Sequence, residues 1–137
     1  AAQGVGISQA AYEAAVSYAQ TRTSFETPLI DFQQVQYKLA EMAIGLHTAR
    51  LLTYWAASLK DQGKDFVKAA SIAKVTSTET AEKLALMSMM IHGGYGVATE
   101  YPVERFLRDS QIIKTYEGTN DIQRLTIAKQ LLKELKE

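Results

Sequence analysis

Residues 31–63 read DFQQVQYKLAEMAIGLHTARLLTYWAASLKDQG, and their spacing decides the fold. Val35, Leu39, Met42, Leu46 and Ala49 recur at steps of four, three, four and three, which aligns them on one stripe of an amphipathic helix. Asp31 is the candidate N-cap, a short carboxylate able to accept from the free N–H groups of a first turn. Gly63 is the candidate stop, because glycine tolerates the left-handed residue that commonly ends a helix. Working outward, a first helix is expected over 5–21, a third over 66–92 ending at Gly93 and Gly94, and a last over 119–135. In the last, Ile122, Leu125, Leu132 and Leu135 lie on or near one face. The centre of the third, KVTSTETAEK at 74–83, is rich in threonine and serine, which weakens helix propensity. Alanine-rich turns on both sides and the lack of any strand-period alternation still favour helix there. The two prolines, Pro28 and Pro102, fall in the segments between. The expected architecture is all-α: one domain over 1–137, an up-down four-helix bundle with a long loop at 93–117 before the last helix.

Composition narrows the function classes. A chain of 137 residues with 47% apolar and 22% charged residues has the make-up of an ordinary globular domain. Fifteen basic and fifteen acidic residues cancel, so no bulk charge favours nucleic acid or an anionic membrane. The absence of cysteine excludes disulfides and thiolate metal sites, and His47 and His92 lack the carboxylate spacing a zinc site needs. No apolar run reaches the length of a membrane span. The chain opens AAQGVGISQAAYEAA, already helical in pattern and without methionine. It is therefore expected to be a piece of something longer.

Three segments could carry chemistry. In RTSFETPLIDFQ (22–33), Arg22 offers a planar five-donor fork suited to phosphate, Ser24 a hydroxyl, Phe25 a flat face and Gln33 an amide. The competing reading is a solvated arginine, a capping serine and a phenylalanine plugging the end of the bundle. In HGGYGVATEYPVERFLRD (92–109), Gly93, Gly94 and Gly96 permit close backbone approach or positive φ. The spacing is not GxGxxG and follows a helix, so a dinucleotide-fold fingerprint fails; a C-cap followed by a turn explains it as well. His92 reads as a packed or capping histidine, and Arg105, Arg108 and Asp109 as a surface ion-pair network. In TYEGTND (115–121), Glu117 is either a first-turn carboxylate favoured by the helix dipole or a general base. Thr119 is a candidate N-cap. A base would need an apolar pocket, with which Tyr116, Ile112 and Ile113 are compatible, and the N–H groups at the helix start could hold an oxyanion.

In this order and at these distances, RTSFETPLIDFQ, LAEM (39–42), IHGGYGVATEYPVERFLRD (91–109) and IIKTYEGTNDIQRLTIAKQLL (112–132) resemble the C-terminal helical domain of the acyl-CoA dehydrogenases. The similarity covers essentially the whole chain, and the pairing of the GGYG–EYPVER–RD segment with YEGT-x-x-IQR is highly specific. The resemblance implies a longer flavoenzyme whose N-terminal helical and middle β domains are not in this chain. It implies α,β-dehydrogenation of a fatty acyl-CoA, in which a glutamate removes the α-proton and the β-hydride passes to N5 of FAD. Glu117 matches that base, its own N–H donating to the thioester carbonyl together with a flavin ribityl hydroxyl, and Tyr116, Glu117 and Gly118 match substrate-binding positions. Arg22, Ser24, Phe25 and Gln33 match positions reaching the ADP half of an FAD held mainly by a neighbouring subunit, and Gly93 and Gly94 match the turn beside it. Gly118, Thr119 and Asp121 match positions near the subunit's own flavin.

The chain departs from the family pattern at two places. Met90 stands where a nucleotide-contacting glutamine is usual, and Asp121 where glutamine or glutamate is common. Some members draw the base from the first helix instead, at a position upstream of Ala1. The family further implies a homo-oligomer (dimer or tetramer), electron-transfer flavoprotein as acceptor, and a bacterial cytoplasmic or mitochondrial matrix location. By itself the 137-residue chain is expected neither to dehydrogenate nor to retain FAD tightly. Two other readings compete. One is a helical oligomerisation module using exposed faces such as Leu51, Leu52, Tyr54 and Trp55. The other is an acyl-CoA oxidase-like domain, against which the short tail after Leu131 argues.

Overall fold

The computed structural model describes residues 1–136. Among them stand five α-helices: α1 (Ala2–Thr21), α2 (Gln33–Asp61), α3 (Val67–His92), α4 (Val103–Thr115) and α5 (Asn120–Glu134). A two-stranded hairpin, β1 (Thr23–Ser24) and β2 (Thr27–Pro28), and a 3-10 turn at Leu29–Asp31 join α1 to α2. A second 3-10 turn, Gly93–Val97, leads from α3 towards α4. The architecture is all-α, with α3 as the central element against which the other four helices pack.

The packing follows from where small residues fall. The buried residues of α1 are Gly4, Ser8, Ala11, Ala15, Tyr18 and Ala19, a stripe at helical spacing with almost no bulk until its C-terminal end. That lets the backbone of α1 close onto α3: a Cβ on Gly4 would stand 2.7 Å from the Ser77 carbonyl carbon and oxygen. The serine and threonine of the third helix are explained by the same approach. Ser77, which faces Gly4, and Thr78 are buried and donate to Lys74 O at 3.3 and 2.8 Å, whereas the buried hydroxyls of Ser8 and Ser88 have no partner among the described residues. On α2 the stripe is Leu39, Met42, Leu46 and Ala49, all buried, with Val35 half-buried beside it. Met42, Leu46, Leu84 and Ile91 unite α2 and α3 around the alanines of α1.

Gly63 ends α2 as expected. Its φ is 66°, its N–H donates to Lys60 O at 3.0 Å and the Lys64 N–H to Leu59 O at 3.0 Å, the paired bonds of a Schellman turn. The start of α2 differs from expectation. Asp31 lies inside the 3-10 turn and the N-cap is Phe32, without a side-chain cap bond. The Phe32 carbonyl takes both the Val35 and Gln36 N–H groups, so the tight turn itself feeds the helix.

The segment expected as a long loop also differs, since α4 occupies half of it. Val103, Ser110 and Ile113 of α4 are buried and Phe106 packs against the core, a stripe at helical spacing with charged residues on the other faces. It forms because Pro102 opens it and the Glu104 carboxylate accepts from Arg108 Nε at 2.8 Å one turn later. That Glu104–Arg108 pair replaces the expected network of Arg105, Arg108 and Asp109. Arg105 instead lies 5.9 Å from the Phe106 ring centroid.

Candidate functional site

The singled-out residues gather at two ends of one helix. Arg22, the C-cap of α1, is fixed by its own N–H donating to Tyr18 O and by the Leu29 N–H donating to Arg22 O at 2.8 Å. Its guanidinium lies 5.5 Å from the Tyr95 ring centroid, within cation–π range. Beneath it the rings run on: Tyr95 against Tyr101, Tyr101 edge-on to Tyr18 and His92, and His92 stacked on Tyr18 at 4.1 Å. Arg22 thus stands on a floor of aromatics, with no carboxylate pairing it among the described residues.

This floor closes one side of an open cleft of about 720 Å³, with Arg22, Ser24, Gly93, Gly94 and Tyr95 around it. Four of the expected residues are therefore brought together. Gln33 lines an adjoining depression of about 590 Å³ that shares Ser24 and Leu29 with the cleft. Phe25 stands apart at the hairpin tip, 93% exposed. With Thr23 paired to Pro28 and Ser24 to Thr27, Phe25 (φ 49°) and Glu26 (φ 64°) form a two-residue loop with both residues left-handed. This is the turn that normally selects Asn-Gly.

The three glycines serve three different ends. Gly93 ends α3 at φ 59°, ψ −132°, a conformation open to glycine alone, with its N–H donating to Met90 O. Gly96 is buried, and a Cβ there would stand 2.4 Å from Met89 O. Gly94 has neither need: its φ is not positive and nothing lies within 4 Å of its Cβ position. Met90 points away from this packing and is 59% exposed.

His92 is a packed histidine, 4% exposed, with Nδ1 donating to Ser88 O at 2.8 Å, which fixes the tautomer because a carbonyl only accepts. Burial pushes its pKa below the ordinary histidine value, and the Ser88 bond only partly opposes this. Burial likewise raises Tyr18, against the nearby Arg22 charge.

The second group lies at the other end of α1, which at 1.5 Å per residue is about 30 Å away. Glu117 and Gly118 occupy the connector between α4 and α5 with φ of 52° and 87°. Glutamate in the left-handed region costs on the order of 1 kcal/mol. Tyr116 donates its hydroxyl to Gln3 Oε1 on α1. Thr119 is the N-cap expected of it, its Oγ1 accepting from the Ile122 N–H at 3.2 Å. Asp121 projects into solvent 4.0 Å from Arg124, which pairs with Glu79.

Glu117 itself is exposed and makes no hydrogen bond or ion pair among the described residues. It borders a small hollow of about 180 Å³ with Gln3, Gly4, Lys74, Thr78 and Tyr116. The described residues around Glu117 form only this hollow, not the enclosed apolar pocket a base requires. Sequence reasoning missed Lys74 and Asn120, which hold the connector from below. The signal was available: Lys74 is the one charge in AASIAKVTST (69–78).

Comparison with known proteins gives concordant matches. The family model described as acyl-CoA dehydrogenase, C-terminal domain, matches residues 1–132. The mitochondrial short-chain specific acyl-CoA dehydrogenase of Bos taurus is 49% identical over 133 residues, covering 97% of this chain and 32% of that protein. Among solved structures, butyryl-CoA dehydrogenase from Megasphaera elsdenii superimposes with a TM-score of 0.94 at 42% identity, over 96% of this chain and 34% of that one. An FAD complex of PigA superimposes with a TM-score of 0.89 at 30% identity, over 93% and 33%. The chain thus spans about a third of the length of the curated relatives it matches. A match over nearly every residue, in sequence and in fold, places this chain in the acyl-CoA dehydrogenase family, as its C-terminal domain.

Proposed function

We propose that the protein to which this domain belongs dehydrogenates acyl-CoA thioesters at the α,β bond, with FAD as cofactor and Glu117 as the base. The observation that carries the proposal is the state of Glu117: a carboxylate without internal partners, on a left-handed turn pinned between two helices. Of the three left-handed non-glycine residues, Phe25 and Glu26 are accounted for by the two-residue hairpin loop they form; Glu117 has no such turn to explain it, and backbone strain persists at functional sites when the surroundings over-determine it. The Glu117 carboxylate takes the α-proton as the Cα–Cβ double bond forms. Its own N–H, with no acceptor among the described residues, donates to the thioester carbonyl as enolate charge develops there. Tyr116 and Gly118 flank the thioester. FAD, when bound, would supply the two-electron acceptor for the β-hydride.

The residues present fit that cofactor. Arg22 brings a cation without a carboxylate partner, Ser24 a hydroxyl, Gln33 an amide and Phe25 an exposed ring. Gly93 and Gly94 leave bare backbone at the same cleft. These are the donors and stacking surface that a diphosphate–adenosine unit takes. Because they lie about 30 Å from Glu117 along α1, one extended dinucleotide does not reach both groups. The cleft therefore serves the ADP half of a neighbouring subunit's FAD, while Gly118, Thr119 and Asp121 adjoin the subunit's own flavin.

This arrangement requires a homo-oligomer, and α2 supports one. Tyr37, Ile44 and Leu51, seven residues apart, with Tyr54 and Trp55, leave a second apolar stripe exposed on its outer side. Electron-transfer flavoprotein is the proposed acceptor. No helix among the described residues is long and apolar enough to cross a membrane.

The test is Glu117→Gln in the full-length, FAD-loaded protein. Flavin content and oligomer size stay as in the wild type, while flavin bleaching by acyl-CoA and exchange of the α-proton with D2O are lost. Bleaching at near wild-type rate would put the base elsewhere.

A further inference from the structure

One ammonium sits under the connector that carries Glu117. Lys74, half-buried on α3, donates from Nζ to Lys114 O at 3.2 Å and to Asn120 Oδ1 at 2.8 Å. Lys114 is in the last turn of α4 and Asn120 is the first residue of α5, so one side chain ties together the two helix ends flanking 116–119. Asn120 is itself buried, and its Nδ2 donates to Thr78 Oγ1 at 3.0 Å and to Glu79 Oε1 at 3.3 Å, both on α3. The chemistry is apt. A carbonyl in the last turn of a helix carries the negative end of the dipole, which a cation satisfies. The asparagine, polar and buried at a position where solvent cannot pair it, has all its capacity taken by α3.

We infer that Lys74, with Asn120 and Thr78, is the positioning device for Glu117, fixing both ends of the connector so that its left-handed turn is retained. This rests on the proposed role of Glu117. The geometry supports it in three respects. The clamp makes no hydrogen bond to Glu117: Lys74 and Thr78 line the same hollow, but the bonds of Lys74 go to the helix ends on either side, so it acts through the backbone. It holds the connector against α3, the most deeply packed element of the fold. And the strain at Glu117 (φ 52°) and Gly118 (φ 87°) needs such a constraint, since the other bonds of 116–119, from Tyr116 to Gln3, from Gln123 to Gly118 O and at the Thr119 cap, do not tie α4 to α5. Burial lowers the pKa of Lys74, yet both its contacts are to oxygen acceptors, which suit the charged form.

The test uses the full-length, FAD-loaded protein with Lys74→Met, Lys74→Arg and, as a control, Lys68→Met, whose ammonium pairs with Glu134 on the surface. Hydrogen exchange is read at the bonded amides that bound the connector, Tyr116, Ile122 and Gln123, and at the core of α3 around Leu84. Losing a charge-assisted bond to the buried network should speed exchange of the connector amides in Lys74→Met by about tenfold or more. Leu84 and Lys68→Met stay unchanged, and Lys74→Arg recovers most of the protection. In turnover, kcat of Lys74→Met falls with KM within about threefold of wild type, the mark of a base displaced rather than a substrate lost. If Lys74→Met does not fold, Thr78→Val, which keeps the shape and removes only the hydroxyl on Asn120, carries the same comparison with a smaller effect. Wild-type exchange at the Tyr116, Ile122 and Gln123 amides in a folded Lys74→Met or Thr78→Val would overturn the inference. So would a kcat of Lys74→Met equal to wild type while Glu117→Gln is inactive. If Glu117→Gln is itself fully active, the functional proposal falls, but hydrogen exchange still decides the clamp.

Discussion

Two neighbouring glycines should respond to the same substitution in opposite ways. In Gly96→Ala the new Cβ would stand 2.4 Å from Met89 O and 3.0 Å from the Met89 carbonyl carbon and Cα. All three atoms are backbone within α3, so no rotamer change relieves the clash. The 3-10 turn must lift off the helix by close to 1 Å, the range in which overpacking costs about 1–3 kcal/mol. For a domain of this size that lowers Tm by roughly 3–10 °C. In Gly94→Ala nothing lies within 4 Å of the Cβ and φ is not positive. Stability should be unchanged or rise by about 0.4–1 kcal/mol, because alanine narrows the unfolded ensemble. The same alanine puts a methyl group into the cleft beside Arg22 and should weaken FAD retention in the full-length protein. Urea unfolding of the 137-residue chain, followed by circular dichroism, measures the first pair of effects; flavin content after dialysis of the full-length protein measures the last. The reasoning is refuted if Gly96→Ala costs under about 0.5 kcal/mol, or if Gly94→Ala destabilises as much as Gly96→Ala.

Other perturbations test other parts. Glu26→Gly at the hairpin tip removes a left-handed glutamate (φ 64°). It should raise stability by up to about 1 kcal/mol, net of glycine's entropic cost, as read by thermal unfolding. His92 makes stability depend on pH in a defined sense. Its folded pKa is lowered by burial, so below the unfolded value near 6.5 the unfolded chain binds the extra proton. The contribution is complete above pH 6.5 and is lost as pH falls from there towards the folded pKa. His92→Phe, compared by urea midpoints at pH 7.5 and 5.5, should show a smaller difference between the two pH values than wild type; an unchanged difference would assign the dependence to other groups.

How much of this was legible beforehand varied with the kind of signal. The stripe of α2 and the Schellman stop at Gly63 followed from spacing and from one glycine, because both are local rules. α4 did not, although Val103, Phe106, Ser110 and Ile113 recur at steps of three, four and three, because the glycines at 93–96 and Pro102 mark the start of that segment as loop. Asp31 failed as an N-cap for a different reason: the hairpin and 3-10 turn before it set the entry, and a tertiary constraint overrode a good capping residue. Among the site residues, Arg22, Ser24, Gly93 and Gly94 were singled out individually, but their meeting in one cleft depends on α1 and α3 ending side by side. Gly94 differs from Gly93 and Gly96 only when the space around each is known. Lys74 stands out in sequence as a lone charge, but its pairing with Asn120 could be found only in three dimensions, the two being 46 residues apart in sequence and 2.8 Å apart in space.

The length of α1 has a genetic corollary. On the proposed arrangement, each reaction centre draws Glu117 from one chain and the Arg22 cleft from its neighbour, and a single rigid rod prevents either chain from supplying both. Two inactive alleles, one carrying Arg22→Ala and the other Glu117→Gln, would then complement when co-expressed. In each mixed pair one centre receives both defects and the other receives none, so an organism bearing the two lesions on separate copies would keep part of the activity that either lesion alone abolishes.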